Sequence, residues 1–353
     1  MKKIVVLSMA AATALWAVKV NPGGEVYGYY MQALSNPDTT KVGYNEFAIG
    51  RAYLTLKADL IEDTSSALKA RARVTYDIEK LNSLVSNPGD STFSAKGTYM
   101  GMLKYACCEL GAFRGMPGAL WIGLGQLTTP WIDYEEGLWG FRGMQKVLVD
   151  RVGLMNSADR GISLKYDFPK GFGSLQAIYM NGEGYKTPEV NEFKDMAMRV
   201  SAFPLAGMGK ATEGLGIHGY YQAGRPDSGM VRNRMFGGVS YSYRGSGLMF
   251  QYLASAEDGT EADPLKHGGM SGWARLDMGN LLGTQYSFGV VGRYDLYDPD
   301  VNAENDRQTF ILGGAFFNLA KGWTVALDYQ TESLENSGFD PGSTMYLHVI
   351  GKF

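Results

Sequence analysis

From Ser66 to Ile78 the chain alternates, residue by residue, between apolar and charged. Leu68, Ala70, Ala72, Val74, Tyr76 and Ile78 fall on one side; Lys69, Arg71, Arg73, Thr75 and Asp77 fall on the other. Successive side chains of an extended strand point to opposite faces, so this segment makes one apolar wall and one charged wall. The same pattern stands just upstream, with Ala48, Ala52, Leu54, Leu56 and Ala58 against Arg51, Tyr53, Thr55 and Lys57. Downstream, Ile162, Leu164, Tyr166 and Phe168 oppose Ser163, Lys165 and Asp167. Tyr286, Phe288, Val290, Tyr294 and Leu296 oppose Ser287, Arg293 and Asp295, and Trp323, Val325, Leu327 and Tyr329 oppose Thr324, Asp328 and Gln330. None of these segments has the 3.6-residue period of an amphipathic helix.

About sixteen such segments follow one another, near 24–34, 44–58, 66–78, 97–107, 118–128, 160–168, 173–182, 193–204, 214–224, 233–243, 247–256, 269–278, 285–296, 308–318, 323–332 and 343–353. Most are about nine to thirteen residues long, enough for a tilted strand to cross a bilayer. Short turns at Leu60–Ser65, Pro169–Gly171, Arg244–Gly247 and Leu319–Gly322 alternate with longer polar loops at Glu79–Lys96, Gly182–Glu192, Glu257–Gly268 and Pro299–Gln308. Short turns on one rim and long loops on the other describe an all-β, transmembrane, antiparallel up-and-down β-barrel. A soluble β-sandwich would bury the apolar face in a core and would need neither strands this long nor export. In lipid every backbone polar group must be paired, so the sheet has to close and the charged face has to point inward. An interior of Arg, Lys, Asp, Thr and Tyr at about sixteen strands is expected to hold water, not a packed core.

The chain opens with Lys2 and Lys3, an apolar run from Ile4 to about Ala17, and the polar stretch Val18–Gly24. That order describes a secretory signal peptide, and the run of about 14 residues is too short for a membrane helix. Cleavage is expected after Ala17, with Ala12-Thr13-Ala14 as the alternative, leaving residues 18–353 as one barrel domain exported to the periplasm and placed in the outer membrane. Outer-membrane lipid is then the first partner. The last strand ends in Phe353, with Met345, Leu347 and Val349 on its outward face. An alternating final strand with a terminal aromatic resembles the signature read by the outer-membrane assembly machinery. Thirty-three Lys plus Arg against 36 Asp plus Glu, a net charge of -3, argues against a nucleic-acid partner.

Two stretches carry a family resemblance. Phe47-Ala-Ile-Gly-Arg-Ala-Tyr-Leu-Thr-Leu-Lys57 with the basic strand Lys69–Asp77 resembles early hairpins of the phosphate-selective porin O/P family of bacterial outer-membrane porins. Gly123-Leu-Gly-Gln-Leu-Thr-Thr-Pro130 and Asp159-Arg-Gly-Ile-Ser-Leu-Lys165 do so as well. The resemblance implies a sixteen-stranded homotrimer whose inward loops narrow the pore and whose interior Arg and Lys draw anions through. The chain departs from it by placing Asp77, Asp167, Asp195, Asp277, Asp295 and Asp328 on the same interior wall, which implies a milder anion preference.

Two groups of residues are candidates for function. Arg51, Lys57, Lys69, Arg71 and Arg73 form a basic interior wall from two adjacent strands. In a water-filled lumen such a wall focuses a positive potential, the usual device of anion pores; otherwise these residues pair with acids of the third loop and stiffen the barrel. That loop, about Thr129 to Asp159, holds Asp133, Glu135, Glu136, Arg142, Lys146, Asp150 and Arg151 among Trp131, Tyr134, Leu138, Trp139 and Phe141. It is too long for a simple connection and too aromatic for disorder, so it is expected to fold inward as a constriction, the alternative being an outward loop in trimer contacts.

The remaining features are weaker. Adjacent Cys107 and Cys108 could close a strained vicinal disulfide after export only if one left the strand pattern, and a local structural role, or none, is favoured over redox work. Asp298-Pro-Asp300-Val-Asn302-Ala-Glu304 begins like a calcium loop but lacks the Gly and the closing Glu, so solvated loop acidity is the expectation. No cofactor or metal spacing occurs, His218, His267 and His348 are scattered, and there is no G-x-S-x-G. The expectation is a diffusion channel for small hydrophilic solutes and ions with a mild anion preference, and not an enzyme. A scaffold barrel filled by a partner protein is the alternative.

Overall fold

The computed structural model describes residues 18–61, 68–80, 99–111, 117–260, 263–335 and 341–353. The signal segment 1–17, residues 62–65 of the turn expected at Leu60–Ser65, and the loop expected at Glu79–Lys96 beyond Lys80 lie outside the described residues. The strands are β1 (Lys19–Ser35), β2 (Asn45–Ile61), β3 (Lys69–Lys80), β4 (Tyr99–Gly111), β5 (Ala119–Thr128), β6 (Ala158–Asp167), β7 (Gly173–Met180) and β8 (Asp195–Ala202). They continue with β9 (Leu215–Gly224), β10 (Met230–Tyr243), β11 (Ser246–Thr260), β12 (Leu265–Asp277), β13 (Ser287–Asp298), β14 (Gln308–Ala320), β15 (Trp323–Leu334) and β16 (Gly342–Lys352). Each pairs with its neighbours in chain order, and β1 pairs antiparallel with β16, so the sheet is a closed barrel. Every segment expected from alternation is a strand of this barrel.

Closure follows from the two faces. Leu54, Leu56, Val74, Tyr76, Leu124, Ile162, Phe250, Tyr252, Leu327 and Leu347 stand exposed on the outside, a larger continuous apolar surface than a water-soluble monomer presents. Two peptide hydrogen bonds fasten the seam where the chain ends meet, Gly24 N to Phe353 O at 2.9 Å and Phe353 N to Gly24 O at 3.0 Å. β1 starts earlier than the expected residue 24. Its first residues pair with β2 alone, Lys19 opposite Asp59, and pairing with β16 starts only at Glu25. Pro22, which has no N–H, therefore lies in a one-sided extension where none is needed.

Three local departures have physical causes. The register between β1 and β2 shifts at Gly50, with Tyr27 opposite Arg51 and Gly28 opposite Ile49. The bulge reverses the alternation upstream, so Phe47 and Ile49, 85% and 42% exposed, carry the outer face where Ala48 was expected. A second bulge in β4 sets Thr75 opposite Tyr105 and Tyr76 opposite Leu103, which turns both Lys104 and Tyr105 inward. The long loop expected at Glu257–Gly268 is mostly strand, because Glu257 stays paired with Leu265 in the ladder and its carboxylate takes Arg234 Nη2 at 2.5 Å. Connections on the short-turn rim also vary more than expected, the segments 203–214 and 278–286 being longer than the two-residue turn at 244–245.

The expectation of an interior without a packed core is overturned. Tyr220, Phe236, Met249, Leu253, Trp273, Val291, Phe310, Leu312 and Phe316 are buried on the inner faces of β9 to β14 and form one apolar cluster with Trp131, Ile132, Trp139, Val147, Leu148 and Val149. Apolar residues follow charged ones on those inner faces, as in Arg232, Arg234, Phe236 of β10. The binary pattern hides them, because inward and outward residues can both be hydrophobic where the interior is filled.

Candidate functional site

The connection between β5 and β6 spans 129–157 and contains two helices, α1 (Ile132–Trp139) and α2 (Leu148–Arg151). α1 opens with Asp133 and Glu135 in its first turn, favourable at a helix N-terminus. It ends at Gly140, whose left-handed φ of 75° lets its N–H bond Glu136 O. Arg275 Nη1 donates to Trp139 O at 3.2 Å, adding a cation at the helix C-terminus. A Cβ on Gly140 would lie 2.1 Å from that Nη1. Gly140→Ala is therefore expected to cost about 1–2 kcal/mol from the backbone conformation alone and to displace Arg275. The check is limited proteolysis of the 129–157 connection, and a cleavage rate equal to wild type would count against it.

The connection is held on two sides. On one, Trp131 lies 5.5 Å from the Phe236 ring and Trp139 lies 5.4 Å from Trp273. Arg199, buried on β8, donates from Nε to Pro130 O at 2.9 Å and lies 3.9 Å from the Tyr134 ring. Arg151 pairs with Asp295 at 3.2 Å and with Glu332 at 2.6 Å. On the other side Arg142 gathers Glu136 and, at 2.7 Å, Asp150, and its Nε reaches Tyr53 Oη of β2 at 3.1 Å. Burial opposes ionisation of Asp150, but Arg142 and then Lys146 hold its carboxyl below the usual range.

Between the connection and β2 to β4 lies a cavity of about 610 Å³. Lys57, Arg73, Lys104, Tyr53 and Tyr105 line it from the wall, and Asp133, Glu136 and Arg142 from the connection. A smaller cavity of about 140 Å³ continues along Arg71, Arg73, Glu109, Asp133 and Lys165. The five basic residues singled out from sequence divide here. Arg51 is ion-paired with Asp77 at 3.2 Å and with Glu79, and Arg71 with Glu109 at 2.6 Å, so their partners are wall acids and not loop acids. Lys57 and Arg73 face each other in register and, among the described residues, have no carboxylate partner. Lys69 stands exposed at the start of β3. Arg73 lies flat over the Tyr105 ring at 4.0 Å, and Arg71 over Trp121 at 4.0 Å.

The seven loop residues divide as well. Asp133 lines both cavities; Glu136, Arg142 and Asp150 form the ion-paired knot, with Lys146 joining Asp150 at 3.3 Å. Arg151 leaves for the far wall. Glu135 faces away from the cavity and is 1% exposed.

Sequence reasoning missed Lys104. It is 3% exposed, and its Nζ lies 3.2 Å from Tyr53 Oη and 4.7 Å from that ring's centre, with no carboxylate partner among the described residues. Three cations thus point at one phenol oxygen, since Arg51 Nη1 also donates to it at 3.3 Å. Arg232 and Arg234 were missed too, although their spacing of two before Phe236 carried the strand signal.

Several buried acids of the other walls have a basic neighbour, whereas Asp277 and Asp159 are held by neutral donors. Asp195 pairs with Arg232 at 3.0 Å, Asp295 with Arg293 at 2.6 Å, and Asp328 with His348 at 2.7 Å. Among the described residues Lys57, Arg73 and Lys104 of β2 to β4 have no carboxylate partner; Arg199 of β8 and Arg275 of β12 have none either, but are held by Pro130 O and Trp139 O. Cys107 and Cys108 are both free thiols, held on opposite faces by an unbroken strand. In the Asp298–Glu304 segment, Asp298 is taken by Arg307 at 3.2 Å, and no group of three or more metal-ligating side chains occurs among the described residues.

No protein-family model matches the chain, and no curated protein does. Solved structures do match across nearly its whole length. Salmonella typhi OmpF, in complex with daunomycin, is 12% identical with a TM-score of 0.66, the match covering 95% of this chain and 98% of that one. An anion-selective porin from Comamonas acidovorans is 15% identical with a TM-score of 0.63, covering 95% and 100%. OmpT, an outer membrane protein of Vibrio cholerae in trimer form, is 12% identical with a TM-score of 0.60, covering 96% and 100%. At these identities the likeness is one of fold: a closed sixteen-stranded barrel with the architecture of bacterial porins.

Proposed function

We propose that this chain is an outer-membrane porin, exported by segment 1–17 and inserted as a homotrimer, that passes small hydrophilic solutes and ions with a mild preference for anions. The observation that carries this reading is the cavity of about 610 Å³ with Lys57, Arg73 and Lys104 on the barrel wall and Asp133 opposite. The apolar outer face supports a membrane location, because only a closed sheet can place exposed strands in lipid. The trimer form of the Vibrio cholerae protein and the anion selectivity in the name of the Comamonas acidovorans porin support the finer points by analogy of fold. Connection 129–157 acts as the constriction: it packs against the inner faces of β9 to β14 and lines the cavity on the basic side. Water in the remaining space sets the path, and unpaired wall cations raise the local anion concentration. No reaction is required.

The test is single-channel conductance after excision of the α1 tip. A wider channel is expected; an unchanged conductance would sink the constriction, and no conductance in the intact protein would favour the scaffold barrel. The phosphate preference rests on the family resemblance, and block of chloride current by added phosphate tests it separately.

A further inference from the structure

Glu135 is the one acidic residue of α1 turned into the apolar cluster. Its Oε2 accepts from Trp131 Nε1 at 3.0 Å and its Oε1 from Gln251 Nε2 of β11 at 2.5 Å, while Gln251 Oε1 accepts from the same indole at 3.2 Å. Among the described residues no cation pairs with it. The charged groups facing it are already committed: Arg293 of β13 to Asp295 and, at 2.5 Å, to Lys146 O, and Arg234 of β10 to Glu257 of β11. Tyr220 of β9 packs against Trp131, and Asp133 and Glu136, on α1 itself, line the cavity. A carboxylate that is buried, hydrogen-bonded through neutral groups and without a counter-ion is tolerated in its protonated form and costly in its ionised form.

We propose that Glu135 is a proton-controlled latch: protonated, it seats α1 on the β11 wall; ionised, it loosens α1 toward the channel. Its consequence for current rests on the reading of this connection as the constriction, but the latch itself does not.

Burial, and to a lesser degree Asp295, pushes the carboxyl up from its ordinary 4.5 to about 7, against Arg293 and the two hydrogen bonds. A raised acid makes the seat most stable below the ordinary value. The seat then weakens as pH rises from about 4.5 to about 7 and levels off above that. Over this window the ratio of unseated to seated loop rises by up to roughly 300-fold, tenfold per pH unit.

The experiment compares wild type with Glu135→Gln, which keeps the size and one of the two acceptor oxygens and cannot ionise, from pH 4 to 8. Tryptophan emission is read in detergent and single-channel flicker in a planar bilayer. Emission in the wild type is expected to shift to longer wavelength up to about pH 7 and then level, with flicker rising alongside, while the variant stays at its acid values. A wild type without a pH-dependent emission shift, or a variant that follows the wild type, overturns the latch. A latch-dependent emission shift without any change in flicker supports the latch and overturns the constriction.

Discussion

Replacing Arg73 and Lys104 together by glutamate is expected to reverse the sign of the zero-current potential under a KCl gradient, from the chloride side to the potassium side. Both residues line the cavity of about 610 Å³, and neither has a carboxylate partner among the described residues. Their charge therefore acts on passing ions and is not consumed in pairs. A unit charge about 5 Å from an ion acts on it with roughly 0.8 kcal/mol even at the dielectric constant of water, about fourfold in local concentration. The double variant changes the wall by four charges and leaves Lys57 as the cavity's cation without a carboxylate partner among the described residues, since Arg142 and Lys352 are paired with Glu136 and Glu25. Arg51→Gln is the contrast. Arg51 is tied to Asp77 and Glu79, and Glu79 keeps Lys186, so its loss frees Asp77 and also moves the potential toward potassium, but through an unmasked acid that can be removed in turn. A potential that stays on the chloride side in the double variant would take selectivity away from this wall.

The second large effect is expected from Trp139→Ala. The side chain is fully buried, edge-on to Trp273 at 5.4 Å and Phe141 at 5.9 Å, with its indole N–H donating to Gln145 O at 3.0 Å. Truncating a buried tryptophan costs about 3–5 kcal/mol. Here that loss falls on the seat of connection 129–157 and not on the barrel ladder, since Trp139 belongs to no strand. The barrel should keep its β-sheet circular dichroism and its melting in detergent, while single-channel conductance spreads from one level into several and proteases begin to cut between 129 and 157. A single sharp conductance level in the variant would mean that this aromatic contact does not hold the connection.

These two variants also mark what the sequence made legible. Strand count, closure and the inward direction of Arg73 follow from a period of two that is written in every hairpin, because lipid and water enforce opposite chemistry on opposite faces. Lys104 was not legible. Its inward direction depends on a bulge in β4, and one inserted residue exchanges the faces without changing composition. The interior aromatic cluster escaped for a different reason: Phe236 and Trp273 look like outward residues until Trp131 and Trp139 are found against them. Charge pairing was only half visible. The alternation put Arg51, Arg71, Asp77 and Asp295 inside, but which cation each acid meets depends on cross-strand register, and that separates Arg51, which is neutralised, from Arg73, which is not.

Gly143 lies at the β1–β16 seam. A Cβ there would come within 2.7 Å of Ile350 Cδ1 and 3.0 Å of Tyr27 Cδ1, so the middle of the chain touches its first strand and its last at one point. Half of that resting place is missing until the final strand has been delivered. A chain arrested before β16 would therefore have two defects with one cause, a slit along the cylinder and a connection 129–157 that lacks its contact at Gly143. Closing the cylinder also completes the cradle of Gly143, so the C-terminal strand adds a clasp to a segment some two hundred residues behind it.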